Sequence, residues 1–161
     1  MTQDILASFN DGDDVPFDEA VHDLEESIKR ECEQIEIPVK HYILNGLYAR
    51  EIVIPPGVVV TGAIHKHEHL NIISKGKIAV VTAEGRKIVE APATIISPPG
   101  TKRAGLTLDE TVWTTISAVP HDEEFEIEHL EKMLVCETKE DYERYLESDE
   151  VKRKVLARIE G

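Results

Sequence analysis

The stretch GVVVTGAIHKHEHLNIISKG, residues 57–76, decides how the chain is interpreted. It opens with β-branched residues typical of a strand, carries three histidines at alternate positions and ends at a glycine. Alternate side chains of an extended strand project to one face, so His65, His67 and His69 are expected to share a face. Neutral imidazoles with an open position beside them are typical of sites for zinc, copper, nickel or iron.

The spacing of these histidines leaves other interpretations open. In a flat strand His65 and His69 lie about 13 Å apart, so one ion reaches both only if the strand bends or bulges. Without a metal, the imidazoles could hydrogen-bond one another, water or backbone carbonyls, or bind an anion when protonated. The residues alone therefore predict a metal set of His65, His67 and His69, an ordinary polar strand face, or an anion site.

The sequence around this stretch contains turn signals at the spacing typical of a small β domain. Asn45-Gly46 stands between two strand-like runs, which is a strong signal for a hairpin. Further turn signals follow at 55–57, 74–76, 83–85 and 97–100. Short strands at regular spacing predict a sandwich or barrel, which we place at residues 35–120.

Two acidic, helix-forming segments flank the β domain. Residues 1–40 carry 12 acids and 3 bases, residues 41–120 carry 6 and 8, and residues 121–161 carry 14 and 7. Phe17, Val21, Leu24 and Ile28 recur at helical spacing and predict an amphipathic helix within an N-terminal arm of residues 1–34. Residues 121–161 are expected to be helical, with an apolar stripe that we list as Tyr142, Tyr145, Leu146, Val151, Val155, Leu156 and Ile159.

Composition excludes some classes of function. The 161 residues include 32 acids and 18 bases, for a net charge of −14, so phosphate backbones and anionic lipid surfaces should repel the chain. The N-terminus lacks the basic and apolar regions of a signal peptide, and no apolar run approaches the about 20 residues of a spanning helix. We therefore expect a cytoplasmic protein that binds neither nucleic acid nor membranes.

Residues 57–76, followed by Pro98-Pro99-Gly100-Thr101-Lys102-Arg103, resemble the two signature motifs of the cupin superfamily. The resemblance covers residues 36–120 and implies a mainly β chain: a single cupin-type double-stranded β-helix, or jelly-roll barrel, with N- and C-terminal α-helices. Counted back from Gly76, His69 stands where the family has a glutamate, and His65 stands at its second histidine. Ala63 occupies the position of the first.

The second motif departs from the family pattern at its metal ligand. Pro98 and Gly100 fit, but Arg103 stands where the resemblance places a histidine. A guanidinium keeps its positive charge and cannot coordinate a cation, whereas its planar fork binds carboxylates and phosphates. Arg103 opposite His65 and His69 therefore favours an anion over a metal. The alternative is that it points outward or pairs with an acid such as Glu51 or Glu68. Its neighbour Lys102 is expected to face solvent.

Weaker candidates for the pocket lining come from the predicted barrel strands. They are Tyr48, Arg50, Asn71 and Trp113. The central segment carries a charge of +2 within an acidic chain, which is expected to focus a positive potential in the pocket.

The stretches TGAIHKHEHLNIISKGKI and EAPATIISPPGTKR are also similar to small cupin-like proteins of tailed bacteriophages. This second resemblance implies an accessory protein acting in the cytoplasm of an infected bacterium, and it implies no catalytic residue. Because cupin-like barrels commonly pair, and the amphipathic ends of this chain could extend such a contact, we predict a homodimer.

Three functions follow from these observations. The first is a binding module whose degenerate metal site, with His65, His69, Arg103, Tyr48, Asn71 and Trp113, holds an anionic small molecule such as a nucleotide or sugar phosphate. The second is a metal-dependent enzyme, an isomerase or dioxygenase, that holds a divalent transition metal on His65, His67 and His69. The third is a structural or interaction role, in which the acidic helices bind a basic partner and the barrel is only a scaffold. The sequence favours the first.

Overall fold

The architecture is that of a β barrel flanked by helices. It was obtained as a computed structural model that describes residues 17–148 and 150–152. The chain runs through α1 (Phe17–Glu31), β1 (Val39–Leu44), β2 (Leu47–Ile54), β3 (Val59–Thr61), β4 (Ile64–His65), β5 (His69–Lys75), β6 (Lys77–Thr82), β7 (Gly85–Glu90), β8 (Ala93–Ser97), β9 (Ala104–Thr107), β10 (Thr111–Ala118), α2 (Ile127–Leu134), β11 (Val135–Cys136) and α3 (Lys139–Leu146).

The strands form antiparallel sheets. One has five strands in the order β1-β2-β10-β5-β8, and the other has four in the order β3-β9-β6-β7; β4 and β11 make a separate pair. The two larger sheets face each other around a core cluster that includes Ile73 and Trp113 from the first and Ile78 and Val80 from the second. The predicted mainly β fold, a jelly-roll barrel with helices at both ends, is confirmed.

Several of the turns that shape the sheets are ones that the sequence predicted. The Asn45-Gly46 pair joins β1 to β2, where Leu44 pairs with Leu47. Gly76 alone connects β5 in one sheet to β6 in the other, at a φ of +94°, and a Cβ atom there would lie 2.2 Å from the carbonyl oxygen of Glu110. Only glycine fits this link between the sheets.

The predicted N-terminal helix is confirmed as α1, and the structure shows what it covers. Its buried residues Val21 and Leu24 pack on Ala79 and Val81, which are the outward-facing residues of β6. Strand β6 is apolar on both faces because its other face, Ile78 and Val80, lines the barrel.

The C-terminal segment packs on the barrel rather than extending away from it. Leu130 and Leu134 of α2 form a buried cluster with Tyr48 and Val119, and β11 pairs with β4. No helix of the described ranges is long and apolar enough to cross a bilayer. Of the predicted apolar stripe, Val155, Leu156 and Ile159 lie outside the described residues. The homodimer stays a prediction.

Candidate functional site

The histidine stretch bends between its first and third histidine. His65 ends β4, which pairs with β11, whereas His69 begins β5, which pairs with β8. Because residues 66–68 form no strand, the rings of His65 and His69 come together and stack, with their centroids 3.8 Å apart and their planes 20° apart. His67 leaves this pair, and its ring meets the edge of Tyr145 at 6.0 Å.

The hydrogen bond of His69 fixes the position of its proton. Its Nδ1 lies 3.0 Å from the carbonyl oxygen of His67, and because a carbonyl only accepts, Nδ1 must donate. In the neutral ring, Nε2 is then an unprotonated acceptor. It is buried, and no donor among the described residues bonds to it.

Both stacked histidines are held neutral. Burial lowers the pKa of His65 to about 3, with smaller contributions from His69, Arg103 and Arg50. The pKa of His69 is lowered as well, chiefly by burial, against the opposing effect of its hydrogen bond to His67. An anion site made of protonated imidazoles, one of the interpretations left open by the sequence, is therefore opposed by the surroundings of both rings. The positive charge beside them comes from arginine.

The arrangement does not fit the metal site that the family resemblance implies. Two imidazoles that ligate one ion direct their lone pairs to a common point close to both ring planes, and nearly parallel stacked rings do not. Arg103 adds a cation beside them. Within the described ranges no three His, Cys, Asp or Glu side chains are grouped to hold an ion. The predicted set of His65, His67 and His69 is not brought together, because the bend carries His67 away.

Arg103 belongs to a buried polar network. Its guanidinium donates to the hydroxyl of Ser97, which also accepts from Asn71 Nδ2 at 2.9 Å. Asn71 Oδ1 in turn accepts from Trp113 Nε1 at 3.0 Å and from Thr115 Oγ1 at 3.1 Å. The amide of Asn71 and the indole of Trp113 are thus used within the protein, and they fix the position of Ser97 and hence of Arg103.

A cavity of about 620 Å³ opens beside this network. Its walls include most of the predicted ligand-binding residues, namely Tyr48, His65, Asn71, Arg103 and Trp113, together with Arg50. His69 is 4% exposed and lies behind His65. Arg103 lines the cavity and donates to Ser97, so it does not point outward. None of the ion pairs of the described residues involves it, so it pairs with neither Glu51 nor Glu68.

Sequence reasoning missed several groups of the site. Thr115 lies two residues after Trp113 and shares its strand face, so the alternation of β10 could have identified it. The turn signal at residues 97–100 places Ser97 in a turn rather than in the site. The exposed acids Glu128, Glu131 and Glu137 of the C-terminal segment line the opening of the cavity, and nothing in their helical pattern indicated this.

The prediction that Lys102 faces solvent is wrong. The residue is 5% exposed, and its ammonium donates to Glu25 of α1 at 3.0 Å and to the carbonyl oxygen of Gly62 at 3.1 Å. Arg103 lines the cavity inside the barrel, whereas its neighbour Lys102 reaches Glu25 of α1 on the outside. The outer face is covered by α1, so Lys102 is buried under a helix that the sequence did not place there.

The chain has a distant likeness to several solved structures. No protein-family model matches the chain, and no curated protein matches it. Among solved structures it is similar to KdgF from Halomonas sp., at 15% identity and a TM-score of 0.47 over 56% of this chain and 88% of that one. It is also similar to an RmlC-like cupin from Shewanella frigidimarina, at 18% identity and a TM-score of 0.44 over 56% and 87% of the two chains. A cupin domain from Bordetella pertussis matches at 17% identity and a TM-score of 0.44 over 54% and 97%.

Proposed function

We propose that the chain binds a small anionic molecule in the barrel cavity and that Arg103 holds the anion. The observation that carries this proposal is a guanidinium placed in the cavity wall without a carboxylate partner among the described residues. Burial lowers the pKa of Arg103, which reflects the cost of removing its charge from water. A bound anion would offset that cost.

The donor inventory of the cavity supports an anion over a neutral ligand. Arginine has five N–H donors and no acceptor, and among the described residues only the bond to Ser97 uses one of them. Arg50 also lines the cavity and acts on the pKa of His65, so two guanidinium groups lie near the stacked rings. Asn71 and Trp113 have their polar groups satisfied and serve as positioning residues for Arg103.

The test is a binding screen read by the fluorescence of Trp113, the single tryptophan of the chain and part of the cavity wall. The probes are nucleoside monophosphates, hexose phosphates and carboxylates, and each is also checked by thermal shift. Because charge-assisted hydrogen bonds contribute about 1.5–3 kcal/mol, Arg103→Ala should weaken the best probe about tenfold to a hundredfold. Arg103→Lys should fall in between, since it keeps the charge and loses the fork.

The matched control is Arg86→Ala, which removes an exposed arginine of β7 and should leave affinity unchanged. Folding is monitored separately, because loss of a half-buried, unpaired charge should leave the melting temperature of the free protein unchanged or higher. Equal affinity of wild type and Arg103→Ala would refute the proposal. Absence of any anion-induced shift would favour the scaffold role instead.

A further inference from the structure

The cavity has one polar end and one apolar end, because the strand registers group side chains of like character. On the inner face of the five-stranded sheet, Arg50 pairs with Thr115 and Thr115 with Asn71. Two residues further along each strand, Ile52 pairs with Trp113 and Trp113 with Ile73. We call the first set the polar row and the second the apolar row.

The facing sheet continues this division. Val60 and Val80 line the cavity and both pair with Gly105, opposite the apolar row. Arg103 immediately precedes β9 and reaches Ser97 at the polar end. Both sheets therefore place apolar side chains at one end of the cavity and hydrogen-bonding side chains at the other.

The apolar end is closed and the polar end is open. Ile54 and Ile78, which line the apolar end, are 1% and 2% exposed. The lining residues that are exposed lie in α2 or directly follow β11. They are next to Tyr48, close to the polar row. Burial raises the pKa of Tyr48, the charge of Arg50 lowers it, and the charge of Glu131 raises it by a smaller effect, which places this carboxylate close to the polar end.

The opening carries enough negative charge to disfavour highly charged ligands. Glu128, Glu131 and Glu137 stand there, and Lys132 is paired with Glu128 at 3.1 Å. Arg50 and Arg103 are the other cations of the lining. When His65 is neutral, the three acids of the lining are therefore balanced by three cations. A monoanion at Arg103 then adds less unbalanced charge to the cavity than a phosphate dianion, so it is accommodated more readily.

We infer that the ligand is a monocarboxylate with an apolar body, which enters body first and leaves its carboxylate at Arg103. This inference rests on the proposed anion-binding function and adds the class of the anion. The apolar body is buried between the two apolar surfaces, where each methylene removed from water contributes to binding. The single negative charge is held by the guanidinium fork below the acidic opening.

The test is a series of linear carboxylates, acetate to octanoate, compared with glucose 6-phosphate and adenosine monophosphate, all followed by Trp113 fluorescence. Burial of a methylene is worth about a threefold to fourfold gain in affinity, so Kd should fall by that factor per carbon and then level off. Arg103→Ala should weaken the whole series by a common factor. Both phosphates should bind more weakly than octanoate.

Variants of the apolar end of the cavity test the orientation of the bound carboxylate. Val60→Phe narrows that end and should remove the advantage of octanoate over butanoate while butanoate still binds, which also shows that the variant is folded. Ile52→Phe, in the apolar row, provides a second variant with the same expectation and keeps Trp113 as the single tryptophan. Ile88→Phe is the matched control, because Ile88 is 53% exposed on β7.

The outcomes separate this inference from the proposed function. Anions that bind through Arg103 but show no dependence on chain length, or a phosphate that binds more tightly than octanoate, would overturn the inference and leave the anion-binding proposal standing. Binding of the series that is unchanged in Arg103→Ala, or no binding by any probe, would overturn both.

Discussion

At the scale of single residues, the bend at residues 66–68 separates what the sequence could predict from what it could not. The spacing identified His65 and His69 as residues of one face, and it showed that a flat strand holds them too far apart for a shared contact. Their 3.8 Å stack depends on β4 and β5 joining different strand partners, β11 and β8. Those pairings are long-range contacts, which no local pattern encodes.

We predict that His65 makes the folded protein lose stability as the pH falls. Its pKa is lowered from 6.5 to about 3 in the folded protein, chiefly by burial, so the unfolded chain takes up a proton first as the pH falls. The contribution of His65 to stability is complete above about pH 6.5 and is lost progressively down to pH 3, at up to about 1.4 kcal/mol per pH unit. Urea unfolding of His65→Gln should show a shallower loss between pH 7 and 5 than wild type.

The control for this measurement is His129→Gln, which alters an exposed histidine of α2 stacked on Phe125. The His129→Gln variant should lose stability between pH 7 and 5 as steeply as wild type does. A slope in His65→Gln equal to that of wild type would mean that His65 ionises alike in the folded and unfolded states, contrary to its buried position.

At the scale of elements, the sequence predicted α1 but not its position. The spacing of Phe17, Val21, Leu24 and Ile28 was sufficient for the helix, because a stripe of this kind must be buried against something. The surface it needs is the outer face of β6, whose continuous apolar run from Ile78 to Val81 is the one local sign that both faces are covered. The ion pair between Glu25 and Lys102 then fixes α1 on this sheet.

We predict that this ion pair acts as a unit. The Lys102 side chain is 3% exposed and that of Glu25 is 17% exposed. Glu25→Leu leaves a buried ammonium with only the Gly62 carbonyl and should cost about 2–4 kcal/mol, whereas Lys102→Met should cost about 1 kcal/mol because Glu25 can turn towards water. The double variant should recover most of the loss, since an apolar pair of similar volume avoids burying charge.

Urea denaturation of the four proteins gives the coupling energy. Lys75 and Glu110 provide the matched control, a pair at 2.8 Å whose side chains are 63% and 48% exposed. The same cycle there should give a coupling of at most about 0.5 kcal/mol. Additive effects of Glu25→Leu and Lys102→Met would show that α1 is held by its apolar face alone.

At the scale of the whole molecule, the distribution of charge along the sequence differs from its distribution in space. The segment counts of −9, +2 and −7 suggested a positive pocket inside an acidic chain. In the structure the C-terminal segment folds back, and Glu128, Glu131 and Glu137 line the opening of the cavity. Local composition could not predict this placement, because it follows from the pairing of β11 with β4 and the packing of α2 on Tyr48.

This arrangement predicts that salt accelerates the association of an anionic ligand. With a net charge of −14 and acids around the opening, the chain repels an approaching carboxylate at long range, whereas Arg103 attracts it only inside the cavity. The screening length falls from about 30 Å at 0.01 M salt to about 8 Å at 0.15 M, so the repulsion is reduced far more than the short-range attraction. Stopped-flow Trp113 fluorescence with octanoate should show an association rate that rises several-fold over this range and a dissociation rate that changes little. Octanamide, the neutral analogue, should associate at the same rate throughout. A rate for octanoate that falls with salt would mean that the opening attracts anions, and the balance of charge derived from Glu128, Glu131 and Glu137 would then be wrong.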